Sequence, residues 1–156
     1  MNQLLTLDLV PRTTWWVNLR TILPKGEWDR IRRESYRKAN YRCEICGGVG
    51  PAHPVECHEL WEFDDKTRTQ KLVGLISLCP ACHQVKHFGL AQINGKTKEA
   101  IRHLMKVNNW SASKADQHIR ESFDEWKIRC LTDWKVDISY TGFDITIDLY
   151  KEIYKT

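Results

Sequence analysis

Two Cys-x-x-Cys pairs, Cys43–Cys46 and Cys79–Cys82, stand 32 residues apart and constrain this chain more than any other feature. A Cys-x-x-Cys turn presents two thiolates to one metal ion from a tight knuckle. A second knuckle completes a tetrahedral S4 site, a geometry in which soft thiolates select zinc. Gly47-Gly48, directly after the first pair, suits the backbone such a knuckle needs. The N-terminal stretch MNQLLTLDLV has no basic leader, and Asp8 interrupts its apolar run, so it does not read as a signal peptide. The expectation is a cytoplasmic, reducing location, where paired cysteines hold metal rather than disulfides.

At 156 residues the chain is about one domain long, and 42% hydrophobic with 28% charged residues is globular composition. Its apolar runs fall far short of the roughly 20 residues that cross a bilayer, so no membrane association is expected. Net charge is only +4, but it is unevenly spread. Residues 20–42 hold eight basic and three acidic side chains, residues 83–120 seven and two, and residues 131–156 three and five. Basic patches beside an acidic remainder fit a polyanionic partner such as nucleic acid, although solvated helix faces give the same pattern.

No repeat or Gly/Ser linker divides the chain, so one compact domain with three regions is expected. Residues 1–40 form an N-terminal strand or arm and a basic helix. Trp28 and Ile31 face inward on that helix, with Tyr36 a further inward candidate, and Arg30, Arg33 and Arg37 make an outward stripe. Residues 41–90 hold the knuckles, two strands (VECHELWEF and QKLVGLISL) and a short helix that starts at Pro80 and is closed by Gly89. Residues 91–156 form a helical hairpin, with Ser111 or Ser113 capping its second helix, and a terminal strand. A DNA-reading helix-turn-helix is the rarer reading of that hairpin. Of the seven tryptophans (Trp15, Trp16, Trp28, Trp61, Trp110, Trp126 and Trp134) most read as core, although aromatics can also stack on bases, and Cys130 reads as buried.

Three histidines add to the cysteines. His83 follows Cys82 directly and His87 lies four residues on, so a helix here would project both imidazoles from one face, where they can share a second metal. His58 sits between the knuckles, on the first expected strand.

In this order (Cys43, Cys46, His58, Leu78-Cys79, Cys82-His83, Lys86) the segment 41–88 resembles the zinc-containing HNH endonucleases, in which a ββα-metal unit cleaves DNA. The resemblance implies an α+β fold: a ββα-metal, HNH-like unit with a four-cysteine zinc site, flanked by helices. It implies a structural Zn²⁺ on Cys43, Cys46, Cys79 and Cys82, and a second divalent metal (Mg²⁺, Mn²⁺, Ni²⁺ or Zn²⁺) on His83 and His87. His58 occupies the position of the general base, a role that a near-neutral imidazole suits, and His83 counts with it as catalytic. The implied partner is double-stranded DNA read with little sequence specificity. From the charge pattern, not the resemblance, the basic stripes at 20–42 and 83–120, with Arg30, Arg33, Arg37 and Lys86, would hold its backbone.

Two positions depart from the family pattern. Cys57 stands where a carboxylate or histidine ligand is usual; its thiolate would favour a soft second metal such as Zn²⁺, or the side chain is simply buried. Gly74 stands where an asparagine orients the histidine loop, leaving Gln70 or another side chain to take that part. Glu56 and Glu59 are both candidates for the missing carboxylate. These departures support the alternative expectation, a catalytically degenerate HNH-fold module that binds nucleic acid or a protein partner. A zinc-ribbon interaction protein is a third, weaker reading.

If four thiolates hold zinc, metal binding is also folding free energy, about 10–16 kcal/mol in small zinc-finger peptides. Cys43→Ser and Cys79→Ser are therefore expected to be insoluble or unfolded, read by circular dichroism and zinc content. Either variant melting like wild type with no zinc bound would count against the site.

Overall fold

The computed structural model describes residues 3–15, 17–143 and 146–147. In chain order the elements are α1 (Leu19–Ile22), α2 (Lys25–Lys38), β1 (Glu56–Asp64), β2 (Thr69–Leu78), α3 (Pro80–Lys86), α4 (Phe88–Ile93), α5 (Thr97–Asn108), α6 (Ala112–Arg129), β3 (Lys135–Asp137), a 3₁₀ turn (Ser139–Thr141) and β4 (Thr146–Ile147). One small mixed sheet runs in the order β1-β2-β3-β4, with β2 and β3 parallel and the other pairs antiparallel. The protein is mixed α+β.

The β1–β2 hairpin turns at Asp64, whose Oδ1 accepts from the N–H groups of Lys66 at 2.9 Å and Thr67 at 3.3 Å. Its register runs from Glu56↔Leu78 to Leu60↔Gly74 and then slips to Trp61↔Leu72, leaving Val73 without a cross-strand partner. This bulge decides which core each side chain enters. Leu72, Ile76 and Leu78 would share one face of a regular strand. Because Val73 is extra, Leu72 packs with Val17, Leu19, Trp28, Ile31, Val136 and Ile138, whereas Ile76 and Leu78 pack on the opposite face.

That opposite face carries the larger core. Leu5 and Leu7 of the N-terminal arm, Cys43 and Ile45 of the first knuckle, Val85 of α3, Phe88 of α4, Ala100 and Leu104 of α5 and Ala115 of α6 meet there. The arm, the hairpin and the C-terminal helices thus share one interior. Asn108 fastens the arm, donating to the Leu5 carbonyl at 2.7 Å and accepting from the Leu5 N–H at 2.8 Å.

Most expected elements form within one or two residues of their sequence bounds, and Ser111 caps α6 by accepting from Lys114 N at 3.1 Å. Four expectations need correction. Of the strand or arm expected at the N-terminus, the described residues before α1 form the arm and no strand. Gly89 does not close a helix: α3 ends at Lys86 and Gly89 lies inside α4. Ser35, not Tyr36, is the third buried residue of α2, and it shares a 2.8 Å hydrogen bond with Ser77 on β2. Trp15 is exposed rather than core, while Trp28 and Trp134 are buried. Trp16 and the end of the expected terminal strand (148–156) lie outside the described residues.

Gly50 marks the tightest approach between the knuckle loop and α3. A Cβ there would lie 2.3 Å from the His53 carbonyl oxygen and 2.6 Å from Pro80 Cδ. Gly50→Ala is expected to force the loop off the first turn of α3 and to cost about 1–3 kcal/mol by denaturant titration. Gly26→Ala, whose Cβ would meet nothing within 4 Å, is expected to be neutral or to stabilise by up to about 1 kcal/mol.

Candidate metal centres

Among the described residues two groups of side chains converge with metal-binding spacing: Cys43, Cys46, Cys79 and Cys82, and His58, His83 and His87. Within each group the ligand atoms lie within 4.8 Å of one another.

The first knuckle is a loop pinned at both ends. Cys43 N donates to Gly48 O at 2.9 Å, and Gly47 N donates to Cys43 O at 2.9 Å; the latter turn needs the φ of +74° that Gly47 supplies. Glu44 joins the loop to β2: its N–H donates to Ser77 O at 2.9 Å, and its carboxylate accepts from Ser77 N at 2.6 Å. Two residues later β2 gives way to Cys79, the N-cap of α3, whose sulfur accepts from Cys82 N at 3.4 Å. The sheet and α3 thereby bring Cys46 Sγ to 3.6 Å from Cys79 Sγ. Sulfurs around tetrahedral zinc at 2.3 Å are separated by about 3.8 Å, so the cluster is close to coordination geometry.

Its electrostatics point the same way. Hydrogen bonds from the Cys79 and Cys82 thiols hold the Cys43 thiol well below its usual range. The same contacts push Cys79 up to about 11 and raise Cys82 as well. Four thiols this close cannot all ionise against one another without a cation, and three of them are buried. These four cysteines fit a structural metal such as zinc.

β1 and α3 build the second group. His58 points from β1 toward α3, His83 lies on α3, and His87 is its C-cap. The ring centroids are 5.3 Å apart for His58–His83, 5.0 Å for His58–His87 and 4.6 Å for His83–His87. The Nε2 atoms of His83 and His87 approach to 3.0 Å. Burial drives the His83 pKa down and takes that of His87 to about 3, so both rings are neutral and offer lone pairs at physiological pH.

Carboxylates occupy the outer sides of two of these rings. Glu56 accepts from His83 Nδ1 and is also within 2.8 Å of His53 Nε2. Asp8, on the N-terminal arm, lies 2.8 Å from His58 Nε2 and 3.2 Å from the Lys86 ammonium. Burial raises the Asp8 carboxyl, but the His58 hydrogen bond and the Lys86 charge outweigh it, and Asp8 stays ionised. An ionised Asp8 accepts from His58 Nε2–H, which leaves Nδ1 as the ring nitrogen that can offer a lone pair. A ring nitrogen held by a carboxylate while the other is free is the arrangement that orients histidine ligands at metal sites.

Other candidates lie elsewhere. Cys57 projects from the opposite face of β1 into the smaller core, outside the histidine group, and burial pushes its thiol up to about 11. Glu59 shares that direction; its carboxylate accepts from Leu19 N at 2.7 Å, and burial raises its pKa. Of these two glutamates, therefore, Glu56 is the one that joins Asp8 at the histidine group. Gln70 accepts from Thr14 Oγ1 at 2.6 Å and pairs with Phe63, so it does not orient His58. Lys86 is only 2% exposed and its ammonium is occupied by Asp8 and Thr6, which removes it from the expected phosphate contacts. Arg30, Arg33 and Arg37 are exposed on α2, but Trp28 and Ile31 dock that helix on the sheet face away from the histidines. Arg30 is further engaged by Glu27 at 3.0 Å and Glu34 at 3.6 Å. Cys130 takes no part in either group and accepts from Arg12 N at 3.4 Å.

Asp8 escaped the sequence reading. Its one signal was a carboxylate inside an apolar run, and nothing local names a partner 50 residues away.

An unfolded chain protonates His87 near 6.5, whereas the native chain without metal at the histidines does so only near 3. Between those values the unfolded state binds more protons, so stability falls as pH drops through that window. At about pH 5 the loss reaches about 2 kcal/mol. Without added divalent metal, wild type is expected to lose more melting temperature between about pH 7.5 and pH 5 than His87→Gln does. Parallel pH profiles for the two proteins would refute the assignment.

No helix among the described residues is long and apolar enough to cross a membrane. No family model, curated protein or solved structure matches the chain, so its likeness to the HNH endonucleases rests on the cysteine and histidine pattern alone.

Proposed function

We propose that this protein is a metal-dependent endonuclease of the HNH type that hydrolyses DNA phosphodiester bonds. The observation that carries this reading is the convergence of His58, His83 and His87 on one side of a strand–strand–helix unit, their ligand nitrogens within 4.8 Å of one another.

In this reading His83 and His87 would hold a divalent metal, with Glu56 fixing the His83 ring from behind. A divalent ion there would polarise the phosphodiester and lower the pKa of a water. His58 takes the proton from the attacking water at Nδ1. Asp8 holds the opposite nitrogen at 2.8 Å, fixes the tautomer and stabilises the imidazolium that forms. Asp8 so performs from the N-terminal arm the orienting task for which Gly74 has no side chain. His58 is only 4% exposed, so the water it can reach is one already held inside the centre.

A second reading has a specific observation behind it: His58 lies as close to the other two histidines as a third ligand would. One experiment separates the two and tests the function itself. Plasmid nicking is measured with Mg²⁺, Mn²⁺, Ni²⁺ and Zn²⁺, alongside metal stoichiometry, for wild type, His58→Ala and His83→Ala. As general base, His58 is expected to contribute about 10²–10⁴-fold to rate with metal content unchanged. His83→Ala is expected to lose both rate and one metal per chain. Loss of that metal from His58→Ala makes His58 a ligand. Wild type that binds DNA but cleaves it with none of the four metals would refute catalysis and leave a degenerate binding module.

A further inference from the structure

Three of the four sulfurs in the cysteine cluster receive a backbone N–H at the same distance. Cys46 N donates to Cys43 Sγ, Gly48 N to Cys46 Sγ and Cys82 N to Cys79 Sγ, each at 3.4 Å. Among the described residues Cys82 has no such donor, for a reason built into the chain. After Cys46 the first knuckle turns through Gly47 at φ +74°, which aims the next N–H back at the sulfur. After Cys82 the chain continues as α3, whose N–H groups are directed to carbonyls one turn back, as His83 N is to Cys79 O at 2.9 Å. Cys82 is also fully buried, so solvent does not supply the missing donor. A buried thiolate without a hydrogen-bond donor carries a desolvation cost that the fold must offset.

The compensating group comes from 21 residues away. His103 Nε2 lies 3.1 Å from Cys82 Sγ, and His103 shares the side of α5 on which Ala100 and Leu104 are buried. We propose that His103 is a positioning residue of the cysteine metal centre: it donates the fourth N–H···S hydrogen bond, to Cys82, and fastens the C-terminal helical hairpin to the bound metal. It is not a fifth ligand, since its nitrogen falls outside the group whose atoms all lie within 4.8 Å. An imidazole N–H on a metal thiolate withdraws charge from the sulfur, which both favours the thiolate form and protects it from electrophiles. This role is independent of any reaction at the histidines.

The test compares the intact protein with His103→Gln, His103→Phe and His103→Ala. Gln keeps an N–H donor at a similar reach; Phe keeps a ring but has no donor. Zinc affinity is read by chelator competition, the thiolate-to-metal charge-transfer bands by Co²⁺ substitution, and Cys82 accessibility by iodoacetamide labelling and mass spectrometry. Phe and Ala are expected to weaken zinc binding about 10–100-fold, to shift the Co²⁺ bands and to speed alkylation of Cys82. Gln is expected to stay close to wild type on all three. If Ala fails to fold, the contrast between Gln and Phe still decides. The proposal is overturned if Phe binds zinc as tightly as wild type with unmoved Co²⁺ bands, if Gln is as impaired as Phe, or if wild type itself takes up no zinc at the four cysteines.

Discussion

Mutual repulsion among four neighbouring sulfurs is the constraint on which this fold turns. The segment between α2 and β1 has no regular secondary structure and contributes only Cys43, Ile45 and Val55 to the buried interior. Its position depends on the first knuckle meeting the second, at the junction where β2 becomes α3. A cation at the sulfurs would convert that repulsion into a crosslink between the loop and the β1–β2–α3 unit. Glu44 on Ser77 and the close approach of Gly50 to Pro80 then fix the orientation of the loop. Because α3 begins at that same crosslink, the direction of α3, and with it the placement of His83 and His87, follows from the cysteines. A structural site and a candidate reactive site are thereby coupled through seven residues of helix.

The histidine centre also depends on a part of the chain far from it in sequence. Asp8 reaches His58 and Lys86 because Leu5 and Leu7 are buried together in the larger core just before it, and because the arm is held by Asn108 of α5 and by Asp8 N on Lys86 O at 3.0 Å. Lys86 is a nearly buried ammonium, which only a close carboxylate makes tolerable. Asp8 therefore serves two neighbours at once: it neutralises Lys86 and sets the proton position on His58. The arm is part of the centre, not a decoration of the fold.

Charge is arranged less simply than its sequence clusters suggest. The arginines of α2 lie across the sheet from the histidines, and two of them are engaged by acidic residues one turn away, Arg30 by Glu27 and Arg32 by Asp29. Such exposed pairs contribute little to stability, but they occupy guanidinium groups that a phosphate would otherwise meet.

Patterns confined to a short stretch of chain were legible before any fold was known. The cysteine spacing announced a four-sulfur site, the period of α5 and α6 marked two helices, the alternation around His58 marked a strand, and the i, i+4 spacing of His83 and His87 placed them together. Each follows from local geometry: a knuckle, a helical turn and a pleat recur at fixed residue intervals. Decisions that required two distant segments to meet were not legible. The Val73 bulge moves Leu72 to the opposite core from Ile76 and Leu78, and no residue pattern in β2 declares that switch. Lys86 reads as an exposed cation and is buried; Cys57 reads as either a ligand or a buried thiol, and the fold takes it into the other core; Asp8 and His103 read as nothing in particular and are hydrogen-bonded to His58 and Cys82. Local sequence determined which ligand types were present and at what spacing. Tertiary packing alone decided which carboxylate, ammonium or imidazole came to stand behind them, because those partners are 21 to 80 residues apart and only burial in a common core brings them into contact.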